Sequence, residues 1–277
     1  MTRIYGSHFR MSTNKIRNKK KFHQDGFVYL NSKCVKKYIG EFKKVVLSVY
    51  KKKGLKNVLK LNHDKFHALN SKILNKIYSE IDQKKFKSEI INNFLDSTNN
   101  KKKYLVSSHV SLLIVRPQKL KNVNLDSEYV DFHRETFYTR PKKIAERQIN
   151  FWVPILNVTK NQNFFYVPHS HKIKDKQIKV VREKNKYFGK FSNAHRAGMN
   201  YAPKRIVKGV NLDKALRFDT PKNNYLVLNA NLLHGGGSNL TNKIRYAISF
   251  GIIEKNHVID VPIPKSNRTT EPLFVNL

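Results

Sequence analysis

Two histidines and one glutamate carry the clearest chemical signal in this sequence. His133 and Glu135 lie two positions apart, and alternate side chains of a β-strand point to the same face, so both could reach one metal ion. His234 begins a Gly-rich segment further along the chain and would complete the set. Two histidines and one carboxylate on one face of an octahedral ion form the ligand pattern of non-haem Fe(II) oxygenases. The competing interpretation is a solvent-exposed strand that carries a histidine and a glutamate by chance.

A second set of polar residues could bind an anion close to such a metal. Arg245 lies within the apolar strand that follows His234, and a buried guanidinium requires an anionic partner. Ser249 shares the face of Arg245, while Gln148 and Asn150 form a polar pair on another predicted strand. We expect these residues to line a cofactor or substrate pocket. The alternatives are a surface position for the arginine and a solvated outer face for the amide pair.

Three further residues allow more than one interpretation. Trp152 shares the face of the amide pair and is the only tryptophan, so it is either a pocket wall or a core residue. His169 and His171 repeat the spacing of the first metal pair and could be mistaken for ligands.

The elements that must position these residues begin with a helical region that extends to about residue 103. Phe27–Leu30 is predicted to be a short strand, and Asn31 or Ser32 can cap the helix that follows it. Apolar residues then recur at helical spacing until Gly54. A second helical region is expected to begin after a cap at Asn70. These helices are predicted to be packing elements.

From Tyr104 onward the apolar pattern becomes that of short strands. The predicted strands cover residues 104–116, 130–137, 147–156, 163–167, 224–228 and 243–253. Many short strands after a helical half predict a mainly β fold, an antiparallel sandwich or barrel with flanking helices.

The predicted domain organisation is simple. Residues 1–21 are expected to form a disordered basic arm, residues 22–255 a single domain, and residues 256–277 an extended tail. The lysine-rich insertion at 172–220 is expected to be irregular, as either a lid or binding loop or a disordered basic loop.

The charge of the chain is unusual. It contains 55 lysines and arginines against 19 acidic residues, a formal net charge of +36. One interpretation is a nucleic-acid or anionic-membrane partner. We favour the other, a compositional bias toward lysine, asparagine and isoleucine, because the lysines are scattered over the whole length. In either case the positive field should attract small anionic substrates.

Cysteine content and hydropathy set the expected compartment. Cys34 is the single cysteine, so neither an intrachain disulfide nor a cysteine metal cluster can form. No apolar run has the length of a membrane span, and the basic N-terminus lacks an apolar signal core. We therefore expect a soluble cytoplasmic protein without a membrane partner.

Four segments in order resemble the phytanoyl-CoA dioxygenase-like family of Fe(II)/2-oxoglutarate-dependent oxygenases. Phe22–Leu30 resembles the opening of these proteins, and His133-Arg134-Glu135 resembles their His-x-Asp/Glu motif. Residues 167–172 resemble their Pro-Gly-Ser-His-Lys segment. His234 with the following glycines, and then Arg245, resemble the distal histidine and the arginine that binds 2-oxoglutarate.

The resemblance implies a fold, cofactors and a reaction. The fold would be a double-stranded β-helix, a cupin-like jelly-roll core spanning residues 104–255, with Fe(II), 2-oxoglutarate and O2 as cofactors and cosubstrates. His133, Glu135 and His234 would bind the iron and act in catalysis, and Arg245 would bind 2-oxoglutarate. The reaction would be hydroxylation of an unactivated C–H of a small-molecule substrate, with release of succinate and CO2. His171 would belong to a structural turn.

Two departures and two alternatives accompany this resemblance. Glu135 occupies the position where most of the family has aspartate, and His169 the position where the family has glycine. A glutamate is one methylene longer, which predicts a metal slightly further from the strand. The alternatives are a basic nucleic-acid-binding protein on a jelly-roll scaffold and a cupin-like metal enzyme that does not use 2-oxoglutarate.

Overall fold

A computed structural model of the protein describes residues 17–95, 103–120, 131–137, 141–182, 204–235, 237–263, 265 and 272–277. Some sequence predictions fall outside the described residues. These are most of the arm at 1–21, residue 130 of a predicted strand, the centre of the 172–220 insertion, the glycine at 236, and residues 264 and 266–271 of the predicted tail.

Helices form the first layer of the fold. They are α1 (residues 17–25), α2 (Lys33–Lys53), α3 (Leu55–Leu59), α4 (His63–Glu80) and α5 (Gln83–Phe94). Ser32 caps α2 as predicted, because its side chain accepts a hydrogen bond from the backbone N–H of Val35. Gly54 ends α2, also as predicted, with a φ of 77° that other residues rarely adopt.

Two predictions for the N-terminal part of the chain differ from the structure. Residues 17–21 of the expected disordered arm belong to helix α1, whose Phe22 is buried and packs edge-on against Phe94. Helix α4 begins at His63 instead of after Asn70, because Asn62 supplies the N-terminal cap. Asn70 lies inside that helix and is buried.

Strands form the second and third layers. They are β1 (Phe27–Asn31), β2 (Tyr104–Ser107), β3 (Ser111–Val115), β4 (Ile149–Leu156), β5 (Phe165–Tyr166), β6 (Lys179–Arg182), β7 (Lys204–Lys208), β8 (Leu216–Arg217), β9 (Asn224–Asn229), β10 (His234–Gly235), β11 (Arg245–Glu254) and β12 (Phe274–Asn276). A short helix α6 (Lys142–Glu146) precedes β4. Seven strands form a large sheet in the order β1-β9-β4-β11-β2-β12, with β3 also paired to β11.

The large sheet buries both faces. Tyr246 and Ile248 of β11 belong to the core shared with helices α2, α4 and α5. Their neighbour Ala247 points to the other face, where it packs with Trp152 of β4 and with Phe164 beside the small sheet β10-β5-β8. This second face is the interior of a jelly-roll, as predicted. The two sheets are separate in the described residues, so the barrel is open.

Several predicted strand boundaries were wrong. The expected strand 104–116 is divided into β2 and β3, and the expected strand at 130–137 is a bridge at His133 followed by a 3-10 turn over Glu135–Phe137. The insertion 172–220 is not wholly irregular, since β6 and β7 pair as antiparallel strands and β8 joins the small sheet. In the expected tail, β12 pairs with β2 and extends the large sheet.

A buried arginine fixes the segment that carries two of the proposed metal ligands. The Arg134 side chain is 1% exposed and donates hydrogen bonds to the backbone oxygens of Ser170 and Ile173 and, at 2.9 Å, to Asp175 Oδ1. Thr136 also donates to Asp175 Oδ1, at 3.2 Å. The turn at 133–137 is therefore held to the segment at 170–175 by one ion pair and three further hydrogen bonds, each with a charged donor or acceptor.

Another buried cation joins the helical layer to the sheet. Lys87 of α5 is 4% exposed, and its ammonium donates to the backbone oxygens of Ser107 and Ser108 at 2.8 and 3.0 Å. Burial lowers the pKa of Lys87 to about 8.

No helix among the described residues has the length and apolar character needed to cross a membrane.

We predict that Lys87 makes the stability of the protein increase at alkaline pH. Its pKa is lower in the folded state than in the unfolded chain, so burial of the charge costs free energy below about pH 8. That cost disappears as both states lose the proton. Chemical denaturation should show that the free energy of unfolding of the wild-type protein, minus that of Lys87→Met, rises by about 3 kcal/mol between pH 8 and 10.5. Parallel pH profiles of the two proteins would contradict this.

We predict that the two cations beside Asp175 differ sharply in their contribution to stability. Arg134→Met removes a buried partner and should lower the free energy of unfolding by about 3 kcal/mol. Lys142 lies 3.8 Å from Asp175 Oδ2 and its side chain is 49% exposed. Lys142→Met is thus a matched control that should cost less than about 1 kcal/mol. Equal losses in the two variants would show that the Arg134 contacts do not hold this segment.

Candidate metal centre

The backbones of His133 and His234 pair directly with each other. The N–H of each residue donates to the carbonyl of the other, at 2.9 and 3.0 Å, as an isolated antiparallel bridge. The two imidazole ring centroids lie 4.4 Å apart. Glu135 begins the 3-10 turn, and its N–H donates to the carbonyl of Ala230 at 3.0 Å. Three side chains from two distant segments of the sequence are thereby brought together.

The three side chains have the geometry of a metal site. One ligand atom from each of His133, Glu135 and His234 lies within 4.8 Å of the others. Nδ1 of His133 is 2.8 Å from the carbonyl of Asp131, and Nδ1 of His234 is 2.8 Å from the carbonyl of Leu232. Each Nδ1 must carry the proton to donate these bonds, so each Nε2 keeps its lone pair for a metal. Two imidazoles and one carboxylate fit a divalent ion of the Fe(II) type.

The electrostatics of the site favour neutral imidazoles. Burial, together with repulsion from His234, lowers the pKa of His133 to about 3, and burial also lowers the pKa of His234. Burial raises the pKa of the Glu135 carboxyl to about 7, against the hydrogen bond from Asn150. A bound cation would supply the charge that keeps this carboxylate ionised.

The predicted amide pair lies against the proposed metal ligands. Asn150 Nδ2 donates to Glu135 Oε1 at 2.9 Å, and Gln148 Nε2 lies 2.5 Å from Asn150 Oδ1. Asn150 is buried. Asn150 therefore contacts the carboxylate of Glu135 and Gln148 contacts Asn150, an arrangement that sequence reasoning did not foresee.

The other predicted residues line the same inner face of the large sheet. Arg245 is 6% exposed, donates to the backbone oxygen of Gln162 at 3.0 Å, and has its guanidinium 6.0 Å from the Trp152 ring centroid. Ser249 is paired with Trp152 across β11 and β4. The Trp152 ring meets Phe164, which in turn meets the His234 ring at a centroid distance of 5.8 Å. Aromatic contacts thus link the guanidinium to the proposed metal site.

The second histidine pair has a different environment. Nδ1 of His169 lies 3.3 Å from the carbonyl of Gln24, and Nε2 of His171 lies 3.0 Å from the carbonyl of His23. Both histidines therefore meet the last turn of helix α1. Gly26 has a φ of 83°, and a Cβ atom there would lie 2.5 Å from the His171 ring. The turn that ends α1 is shaped to accept this ring.

Sequence reasoning missed two supporting residues. Arg134 stands between two proposed ligands, and Ser170 lies between the second pair of histidines. Besides accepting from Arg134, Ser170 accepts a hydrogen bond from the N–H of Leu233 through its Oγ at 2.8 Å. It thereby ties both ligand-bearing segments together. Asp175, an acid that follows closely on Ser170 in a strongly basic chain, was the available signal for a buried ion pair.

The chain resembles known proteins in sequence and in fold. The family model for phytanoyl-CoA dioxygenase (PhyH) matches residues 22–247. EvdO2 from Micromonospora carbonacea var. aurantiaca is similar at 13% identity and a TM-score of 0.51, with 86% of this chain and 90% of that chain covered. Its complex with 2-oxoglutarate gives 14% identity and a TM-score of 0.50 over 86% and 90% of the two chains.

A third solved structure is the epimerase SnoN from nogalamycin biosynthesis, described as non-heme and alpha ketoglutarate dependent. It is 12% identical, with a TM-score of 0.49 over 96% of this chain and 95% of that chain. At such identities the solved structures show the fold alone. No curated protein sequence matches the chain. The match over residues 22–247 shows that the chain belongs to the phytanoyl-CoA dioxygenase (PhyH) family.

Proposed function

We propose that the protein is an Fe(II)/2-oxoglutarate-dependent oxygenase that hydroxylates an unactivated C–H of a small molecule. The observation that carries this proposal is the convergence of His133, Glu135 and His234, with one ligand atom from each within 4.8 Å of the others. Membership of the PhyH family, whose members use Fe(II), 2-oxoglutarate and O2, supports the choice of metal and cosubstrate. When bound, the iron would supply a site at which O2 oxidises both partners: one oxygen atom enters the keto acid, which leaves as succinate and CO2, and the other enters the substrate as a hydroxyl group.

The protein's own residues have three roles in this proposal. His133, Glu135 and His234 would hold the iron, which with three protein ligands could also bind the keto acid and O2. Arg245 would bind the distal carboxylate of 2-oxoglutarate, because its planar guanidinium can donate two parallel hydrogen bonds to a carboxylate. The aromatic side chains between them, Trp152 and Phe164, exclude water from the reacting centre.

Trp152 supports a bound anion at this face. Its side chain is 2% exposed, and its indole N–H has no hydrogen-bond acceptor in the described part of the chain. A buried donor without an acceptor costs about 1–3 kcal/mol, so such donors call for a ligand or a water. We infer that the N–H contributes to binding of the keto acid beside Arg245.

An anionic substrate fits the surface next to the site. Ile206 of β7 packs with Phe137 and Leu233, which neighbour the proposed ligands. On the same pair of strands, exposed Lys179 and Lys208 lie directly opposite each other. Like charges in this position repel, and a bound anion would relieve that repulsion. For such a substrate kcat/KM should fall as ionic strength rises.

The first test needs no substrate. We predict that anaerobic protein with Fe(II) and 2-oxoglutarate shows a weak visible charge-transfer band that requires both components. His133→Ala should abolish the band and all 2-oxoglutarate decarboxylation, because it removes a ligand. His169→Ala is the matched control and should keep both, since His169 contacts helix α1. A full band in His133→Ala would contradict the proposal. Tight nucleic-acid binding at physiological salt without iron uptake would favour the nucleic-acid alternative.

The second test uses the single tryptophan. We predict that 2-oxoglutarate changes the fluorescence of Trp152 in the Mn(II)-loaded protein, which gives a direct binding curve. Arg245→Met should weaken binding of 2-oxoglutarate by about 10- to 100-fold, the value of a charge-assisted hydrogen bond. Arg205→Met, on the exposed face of β7, is the matched control and should leave the affinity unchanged. Unchanged affinity in Arg245→Met would favour a metal enzyme that does not use 2-oxoglutarate.

A further inference from the structure

The carboxylate of Glu135 has an amide partner. Asn150 is 6% exposed on β4, and its Nδ2 donates to Glu135 Oε1 at 2.9 Å. A carboxylate has two oxygens, so this bond occupies one oxygen and leaves Oε2 for another partner. The hydrogen bond therefore selects which oxygen Glu135 presents to the proposed metal.

A second amide fixes the orientation of the first. Gln148 Nε2 donates to Asn150 Oδ1 at 2.5 Å. If the Asn150 amide rotated by half a turn, its oxygen would face the Glu135 carboxylate and its NH2 group would face another donor. Both new contacts would be repulsive. The bond from Gln148 thus ensures that Asn150 offers a donor to Glu135.

A glycine on the neighbouring strand leaves room for this pair. Gly251 of β11 lies opposite Asn150 in the sheet. A Cβ atom on Gly251 would lie 2.8 Å from Gln148 Nε2 and 3.1 Å from Asn150 Oδ1. These distances are too short for a methyl group unless the amides move. Gln148, just before β4, together with Asn150 of β4 and Gly251 of β11, therefore forms one arrangement whose end point is Glu135.

We propose that Gln148, Asn150 and Gly251 are positioning residues that hold Glu135 as a metal ligand. The proposal rests on the function proposed above, in which Glu135 binds the iron. Glutamate has one more rotatable bond than aspartate, so its carboxylate needs an additional constraint to stay in one place. A hydrogen bond from its N–H to the carbonyl of Ala230 already fixes the backbone of Glu135, and the bond from Asn150 fixes the carboxylate at the end of its side chain.

The positioning role of Gln148, Asn150 and Gly251 can be tested by measuring the affinity of the protein for Mn(II) by calorimetry, without 2-oxoglutarate or O2. Asn150→Leu keeps the size of the side chain and removes the donor, and it should weaken Mn(II) binding by about 10- to 100-fold. Gln148→Leu and Gly251→Ala should weaken it by smaller factors, because each disturbs Asn150 indirectly. The visible spectrum of the Co(II)-loaded protein should also change in Asn150→Leu, since it reports the coordination of the metal.

A matched control separates positioning from folding. Asn93 of α5 donates to the carbonyl of Asn31 and to the hydroxyl of Tyr225 on the helical side of the sheet. Asn93→Leu removes a comparable amide with two hydrogen bonds, and it should lower the melting temperature while leaving Mn(II) affinity unchanged. An equal loss of Mn(II) affinity in Asn93→Leu and Asn150→Leu would overturn the proposal.

A double-mutant cycle tests the contact itself. In Glu135→Asp the carboxylate is too short to reach both Asn150 and the metal. Adding Asn150→Leu to that background should therefore cost less than about threefold in Mn(II) affinity. The proposal would be refuted if Asn150→Leu lowered Mn(II) affinity as much in the Glu135→Asp background as in the wild-type background. It would also be refuted if Asn150→Leu alone left Mn(II) affinity unchanged. His234→Ala distinguishes the two proposals, because unchanged Mn(II) binding in that variant would refute the metal site itself.

Discussion

Two backbone hydrogen bonds between His133 and His234 determine where every other part of the proposed centre lies. A shift of either backbone segment by one residue would turn its imidazole to the opposite side, because side chains alternate along an extended backbone. Arg134 and Ser170 oppose such a shift. Arg134, next to His133, donates to the carbonyl of Ile173, and Ser170 accepts a hydrogen bond from the N–H of Leu233, next to His234. The site therefore depends on register first and on side-chain chemistry second.

Sequence reasoning was most accurate where one periodic pattern governs a whole element. The alternation in β11 separates Tyr246 and Ile248, which face the helices, from Ala247, which faces the interior. It was least accurate where tertiary contacts determine local structure. Glu135 was predicted on a strand, yet its N–H bonds to Ala230, far away in the chain, and the backbone turns into a 3-10 conformation there. Nothing local in the sequence reveals that bond.

The candidate site shows the same division. The three proposed ligands were identified from the spacing of His133 and Glu135 and from the later histidine, and the structure brings His133, Glu135 and His234 together. Asn150 was predicted to line a cofactor pocket, but its contact with Glu135 links residues on different elements and has no sequence signature. Substrate choice is even less visible, because one fold hosts many chemistries and specificity lies in the residues around the site.

The single carboxylate among the three proposed ligands has a consequence for how iron would reach the protein. The chain has a formal charge of +36, and a hydrated ferrous ion approaching it is repelled over about a Debye length. One half-buried glutamate can do little to offset that field from a distance. Loading with the free ion should therefore become faster as salt increases, opposite to the trend for an anionic substrate. A negatively charged iron chelate would instead be attracted by the positive surface. The surface charge of the protein therefore determines whether free or chelated iron reaches the site faster.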